Sequence, residues 1–234
     1  MDISFLKSNI DSVCEKIENA AITSGRRRED IVLCAASKTR TVEEISESAK
    51  LGIDMFGENH AQELEVNFDA GAYLGKPASF IGHLQTNKVK KVVGRAELIQ
   101  SVDSIKLADA IDIAAQKLGI IQNILLEVNI GGEVNKSGVS PDELSALFEH
   151  VSKKANLQVS GLMTIPPICV EDEARKFFAK MRELFENAKQ FNGGNIDLQI
   201  LSMGMSADYC AAILEGSTMV RVGSAIYGPR NYNK

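Results

Sequence analysis

The sequence predicts an α/β fold, a single (β/α)₈ barrel of the TIM type that spans residues 1–234 as one domain. Eight short runs rich in Val, Ile, Leu and Phe recur at 31–36, 54–57, 80–82, 98–102, 123–128, 159–163, 198–202 and 219–222. Segments with helical spacing of apolar residues separate these runs. Strands that alternate with helices form a parallel sheet, and eight strands in 234 residues without a linker favour closure into a ring.

The segments around the runs carry helix signals in chain order. One face of the helix predicted before the first run carries Phe5, Ile10, Val13, Ile17 and Ala21. We expect this helix to cover the gap that remains in the outer layer. Ser140 is a predicted N-cap followed by Pro141, and residues 173–190 carry an i, i+3/i+4 apolar stripe. An open doubly wound sheet is the alternative, but no GxGxxG motif follows the first run, where a dinucleotide-binding sheet would place one.

Composition narrows the class of protein. The net charge of −5 and the pI near 5.4 argue against nucleic-acid binding, which uses a basic patch. No run approaches the length of a membrane span, and the first residues lack the features of a signal peptide. The 4 cysteines are scattered without CxxC spacing, which disfavours a metal site or disulfides and fits a cytoplasmic protein.

Polar residues at the carboxyl ends of the strands are the candidates for chemistry, because barrel enzymes carry their sites there. Lys38 directly follows the apolar run IVLCAAS. An amine in such surroundings loses its charge easily and can form a Schiff base with a carbonyl. Arg221 lies in TMVRVG, and closure of the ring would bring it beside Lys38. The structural alternatives are a lysine that extends into water and an arginine in a core salt bridge.

Two glycine-bearing segments complete this predicted site. LSMGMS leaves the seventh strand and enters a helix at about 206–208, and VRVGSAIYG leaves the eighth. The loops after these strands are the usual phosphate site of the fold. A lysine, an arginine and a phosphate loop suit a ligand with an aldehyde and a phosphate, and pyridoxal 5′-phosphate (PLP) carries both. Asn59 and His83 could line its ring, and Met163 could pack on it, although each also has an ordinary structural explanation.

Six segments together resemble the YggS/PROSC family of PLP homeostasis proteins. They are AASKTRTVEEI, FGENHAQEL, FIGHLQTNKVK, VNIGGEVNKSG, GLMTIPP and LSMGMSADYCAAILEGSTMVRVGSAIYGPR. The resemblance implies a barrel similar to the amino-terminal domain of alanine racemase. It also implies that Lys38 carries PLP as an aldimine and that Arg221 faces the pyridine nitrogen. The other implied contacts are Asn59 near the ring and Ser206, Gly223 and Ser224 at the phosphate. The sequence departs from the family pattern in two places, with Ala78-Ser79 instead of Trp-His and Ser224 instead of threonine.

The predicted function is to bind, protect and deliver PLP, with effects on amino-acid metabolism and with no catalytic residues. Arginine only donates hydrogen bonds, so a ring nitrogen facing Arg221 stays unprotonated and the ring is a weak electron sink. Racemisation also needs an acid on the second face of the substrate. In alanine racemases a tyrosine of a second domain supplies it, and none of this chain's tyrosines (Tyr73, Tyr209, Tyr227, Tyr232) is an evident substitute. We expect a monomer that supplies PLP-dependent apo-enzymes.

Two other functions stay open on the sequence. A PLP-dependent enzyme similar to an amino-acid racemase would use the same cofactor site. A class I aldolase would use Lys38 on a phosphorylated sugar without PLP. The aldolase is disfavoured by Arg221 beside the lysine and by the lack of a clear carboxylic acid at neighbouring strand ends.

Overall fold

A computed structural model describes residues 3–133 and 135–229 and contains a closed barrel of parallel strands in the order β1 to β8. The strands are β1 (Val32–Ala36), β2 (Met55–Glu58), β3 (Ala78–Phe80), β4 (Leu98–Val102), β5 (Gln122–Glu127), β6 (Leu157–Met163), β7 (Ile196–Met205) and β8 (Met219–Val222). The helices are α1 (Ile3–Thr23), α2 (Val42–Ala49), α3 (Ala61–Asp69), α4 (Val89–Val92), α5 (Ile105–Leu118), α6 (Leu144–Val151), α7 (Glu171–Ala188), α8 (Tyr209–Leu214) and α9 (Ser224–Tyr227). The predicted barrel is therefore confirmed.

The ring closes between β8 and β1, where Arg221 lies opposite Cys34 in the parallel register. A small apolar cluster fills the barrel interior, and a larger one packs between the strands and the helices. The interior cluster consists of Cys34, Ala36, Met55, Ile81, Leu98, Leu125, Met163 and Met219. Because side chains of a strand alternate between these two layers, the pairing of β8 with β1 fixes which residues of both strands face inward.

Helix α1 covers the outside of the closing strands by packing against α8 and α9, as the sequence predicts. Ile10, Val13 and Ile17 are buried there. Phe5 was expected on the same face but is 48% exposed. Leu6 is buried in its place because it lies one turn before Ile10, whereas Phe5 is rotated by about 100° around the helix.

Two strand boundaries differ from the prediction in ways that shape the site. Strand β3 starts at Ala78, two residues early, and Gly82 lies beyond it. A Cβ on Gly82 would lie 2.1 Å from the carbonyl oxygen of Asn59, so the glycine lets the two loops touch. Strand β7 runs on to Met205 before a turn closed by Asp208, whose carboxylate accepts a hydrogen bond from the Met205 amide at 2.6 Å.

No helix in the described part of the chain is long and apolar enough to span a membrane. Within the same residues, no group of three or more His, Cys, Asp or Glu side chains could hold a metal ion.

Candidate functional site

A cavity of about 360 Å³ opens at the carboxyl end of the barrel, beside the junction of β1 and β8. All six residues that the sequence and its family resemblance single out line this cavity: Lys38, Asn59, Ser206, Arg221, Gly223 and Ser224. A larger cavity of about 550 Å³ lies at the opposite end, where Pro77 precedes β3 and Gln122 begins β5. Since the reactive side chains meet only at the smaller cavity among those described, it is the candidate site.

Lys38 lies in a tight turn that follows β1. The amide of Arg40 donates to the carbonyl of Ser37 at 3.0 Å, which closes the turn around Lys38. Thr39 has a φ of +63°, an uncommon conformation for a residue with a Cβ, and its amide donates to Glu63 Oε1 at 3.2 Å. The half-buried lysine is thus presented by a backbone that the neighbouring α3 holds in place.

A buried carboxyl group anchors the base of this turn. Glu58, at the end of β2, is fully buried, and its Oε1 accepts hydrogen bonds from Ser37 Oγ at 2.7 Å, Asn67 Nδ2 at 2.9 Å and Tyr73 OH at 3.2 Å. Its Oε2 has no partner among the described residues. Burial raises the pKa of Glu58 to about 7, although the three hydrogen bonds oppose the shift. Sequence reasoning did not select this group as a site residue, although a glutamate at the end of an apolar strand was a usable signal.

Arg221 is 4% exposed and reaches the cavity from β8. Its Nη1 donates to Ser202 Oγ at 2.6 Å, and its Nη2 donates to the Thr164 carbonyl at 2.9 Å. No carboxylate of residues 3–133 or 135–229 forms an ion pair with it, so these residues contain no core salt bridge at Arg221. Burial lowers the pKa of Arg221, while the charge of Glu127 is among the effects that oppose the shift.

The two glycine-bearing segments meet at a pair of backbone amides. Ser206, just after β7, accepts hydrogen bonds at its Oγ from the amide of Gly223 at 3.0 Å and from that of Ala225 at 3.3 Å. Ser224 lies between them and is exposed. One hydroxyl oxygen therefore occupies the position where these amides would hold an anionic oxygen.

Asn59 closes the side of the cavity next to β2. Its side-chain Oδ1 is buried and has no hydrogen-bond partner in the described part of the chain. An unpartnered amide oxygen is costly in a protein interior. Because Asn59 lies on the cavity wall, a polar ligand bound in the cavity could donate a hydrogen bond to this oxygen.

Arg40 and Tyr227 also line the cavity, and sequence reasoning did not select them as site residues. The Arg40 guanidinium lies 5.3 Å from the centre of the Tyr227 ring, and its Nη2 donates to the Gly228 carbonyl at 3.4 Å. Arg40 follows Lys38 by two residues, and this spacing was the available signal. Tyr232, one of the four tyrosines weighed above, lies outside the described residues.

Two weaker candidates lie elsewhere. The His83 side chain is 59% exposed and its Nδ1 shares a hydrogen bond of 3.1 Å with Ser137 Oγ, outside the cavity. Met163 is fully buried in the barrel interior. The statement that neighbouring strand ends lack a carboxylic acid is wrong, because Glu58 ends β2, which lies next to β1. Glu127 ends the more distant β5. Burial is the main cause that raises the pKa of Glu127 to about 7.

The barrel and its cavity define a protein of the alanine racemase amino-terminal type, and the sequence profile described as "Alanine racemase, N-terminal domain" matches residues 7–231. The alanine racemase of Streptomyces lavendulae shares this fold, with a TM-score of 0.78 and 16% identity over 98% of this chain and 58% of that one.

Closer relatives define the particular family. The pyridoxal phosphate homeostasis protein of Aquifex aeolicus is 43% identical over 95% of this chain and 97% of its own length. The structure of PipY from Synechococcus elongatus, described with PLP bound, is 32% identical over 91% of this chain and 100% of that one, with a TM-score of 0.79. The chain belongs to the family of pyridoxal phosphate homeostasis proteins.

Proposed function

We propose that this protein binds, protects and delivers PLP, which it holds as a Schiff base on Lys38, and that it does not itself transform amino acids. The observation that carries the proposal is the convergence of Lys38, Arg221 and the Ser206 hydroxyl on one cavity. A relative at 32% identity is described with PLP bound, which supports the same ligand here.

The chemistry of the cavity fits each part of PLP. Lys38 supplies the amine for the aldehyde, and Arg221 supplies buried N–H donors suited to the ring nitrogen. The amides of Gly223 and Ala225, with the hydroxyls of Ser206 and Ser224, suit a phosphate. The unpartnered Asn59 Oδ1 marks polar capacity beside the ring.

The same contacts argue against turnover. PLP supplies an electron sink whose strength depends on a protonated ring nitrogen. Arg221 can only donate, so the nitrogen that it contacts remains an acceptor. Tyr227 lines the cavity, yet its hydroxyl is buried against Ser48 Oγ at 3.0 Å, and burial raises its pKa above the usual range. It is therefore a poor acid for the second face of a substrate.

The proposal extends to location and partners. All 4 cysteines are free thiols, which suits a reducing cytoplasm. We propose a monomer there that hands PLP to PLP-dependent apo-enzymes and that has neither nucleic-acid nor membrane partners.

Borohydride reduction of the PLP-loaded protein followed by peptide mapping tests the attachment. The pyridoxyl group should be found on Lys38, and Lys38→Ala should abolish labelling. Lys76→Ala is the matched control because this lysine donates to the Ile53 carbonyl at the other end of the barrel. A label found solely on another lysine, such as Lys136, would refute the attachment.

A panel of amino acids tests the absence of turnover. Typical enzymes turn over about ten times per second, so slow catalysis would still be visible. Steady conversion of an amino acid that is lost in Lys38→Ala would contradict the carrier proposal and favour a racemase-like enzyme.

A further inference from the structure

A chain of buried hydrogen bonds crosses the barrel interior and ends at the Arg221 guanidinium. Ser202 Oγ, which accepts from Arg221, donates to Gln100 Oε1 at 2.6 Å. Gln100 Nε2 donates to Ser79 Oγ at 2.8 Å, and Ser79 Oγ donates to the Leu98 carbonyl at 2.9 Å. Ser79, Gln100 and Ser202 are at most 1% exposed, so no solvent competes for these bonds. The chain joins β3, β4, β7 and β8.

The direction of every bond in this chain is fixed by its far end. A backbone carbonyl can only accept, so Ser79 must donate to Leu98 and accept from Gln100. The amide nitrogen of Gln100 then faces Ser79, and its oxygen faces Ser202. Ser202 in turn donates its only hydroxyl proton to Gln100, so its oxygen can only accept a hydrogen bond from Arg221.

This polarity matters because the guanidinium has no carboxylate to hold it among the described residues. Its bonds within the protein go to Ser202 Oγ and to the Thr164 carbonyl, which leaves other N–H groups for the cavity. A planar guanidinium held at two nitrogens has little rotational freedom left. Bonds arranged in series in a low-dielectric interior also strengthen one another.

We propose that Gln100 is a positioning residue for the ligand: through Ser202 it fixes the aim of Arg221 at the ring nitrogen of PLP. The proposal rests on the proposed function, because it assigns Arg221 a contact with that ring. Ser79 has a supporting role, because it orients the Gln100 amide by accepting its hydrogen bond.

Gln100→Leu tests this assignment in the PLP-loaded protein. Loss of the acceptor frees the Ser202 proton, and the dissociation constant for PLP should rise about five- to tenfold, the range expected for one net hydrogen bond. The pH midpoint of the bound-PLP absorbance should shift by about half a unit or more, since the ring nitrogen is no longer held as an acceptor. A role in stability alone would leave that midpoint unchanged.

Gln122→Leu is the matched control. Gln122 is also a buried glutamine on a barrel strand, and its Nε2 donates to the Ala96 carbonyl at 3.0 Å at the amino end, far from Arg221. It should lose stability but keep the PLP affinity and the spectral midpoint. Equal effects of the two substitutions, or no effect of Gln100→Leu, would overturn the proposal.

Ser79→Ala keeps the proposal testable if Gln100→Leu does not fold. It removes the hydroxyl that accepts from the Gln100 amide nitrogen and should shift the midpoint in the same direction by a smaller amount, so an unchanged midpoint contradicts the assignment. If the wild type itself does not bind PLP, the proposed function fails. If the wild type binds PLP and the variants have the same affinity and the same spectral midpoint, the positioning role fails but the proposed function stands.

Discussion

Replacing Glu58 by glutamine should change how the stability of the protein depends on pH. The pKa of this carboxyl is about 7 in the folded protein and 4.5 in the unfolded chain. Because the folded pKa is raised, the folded state binds more protons between these values, and the free energy of unfolding falls as the pH rises from about 4.5 to 7. One pKa unit is worth about 1.4 kcal/mol, so the full effect is on the order of 3 kcal/mol above pH 7.

Glu58→Gln keeps an oxygen that can accept from Ser37, Asn67 and Tyr73 but cannot ionise. Relative to the wild type, the variant should be more stable by up to about 3 kcal/mol at pH 8 and by less than about 1 kcal/mol at pH 5. Glu127 titrates in the same range in both proteins, so its effect cancels in the difference.

Urea unfolding of the apo protein at pH 5, 6, 7 and 8 measures this difference directly. Glu18→Gln, on the exposed face of α1, is the control, because it makes the same exchange of side chains away from the buried carboxyl. A constant difference between Glu58→Gln and wild type across the four pH values would show that Glu58 is ionised throughout, and the reasoning would fail.

Three further perturbations test the site and the fold. Arg221→Glu should turn the ring nitrogen into a protonated donor and move the pH response of the bound-PLP absorbance, and an unchanged titration would contradict the contact. Ser206→Asp should weaken PLP binding at least about a hundredfold relative to Ser206→Asn, because a carboxylate near 4 Å from a phosphate repels it by about 4 kcal/mol at an effective dielectric of 20; equal affinities would place the phosphate elsewhere. Gly161→Ala should destabilise the protein by about 3 kcal/mol or more in urea unfolding, since its Cβ would lie 1.8 Å from the Ile200 carbonyl oxygen. If the free energy of unfolding falls by less than about 1 kcal/mol, the backbone of β7 must move away to make room for the added Cβ.

The sequence predicted the barrel because its evidence is periodic and local. Apolar runs and amphipathic helices alternate along the chain, and chain order equals strand order in the structure. The start of β3 was missed because PASFIG is apolar well past the end of the strand. Gly82, which follows the strand, lies against the Asn59 carbonyl, and the apolar run alone does not reveal this contact between two loops.

The residues that hold Arg221 in place could not be predicted from the sequence, for a related reason. Lys38 and Arg221 stand out because each interrupts an apolar run. Gln100 also interrupts one, in LIQSV, but its partners Ser79 and Ser202 come from β3 and β7. Only the register of a closed ring brings the three together, so the residues that hold Arg221 could not be identified before the structure.

The hydrogen bonds of Ser206 bear on how a ligand could leave the protein. When an anion leaves two backbone amides that have no other acceptor, each amide loses a hydrogen bond worth about 1 kcal/mol, and this loss disfavours release of the anion. Here the serine hydroxyl already accepts from both, at 3.0 Å and 3.3 Å. A phosphate bound at these amides, as proposed, would therefore compete with a side chain of the protein for the same two donors. Such competition weakens the binding of an anion compared with a site whose amides have no other acceptor.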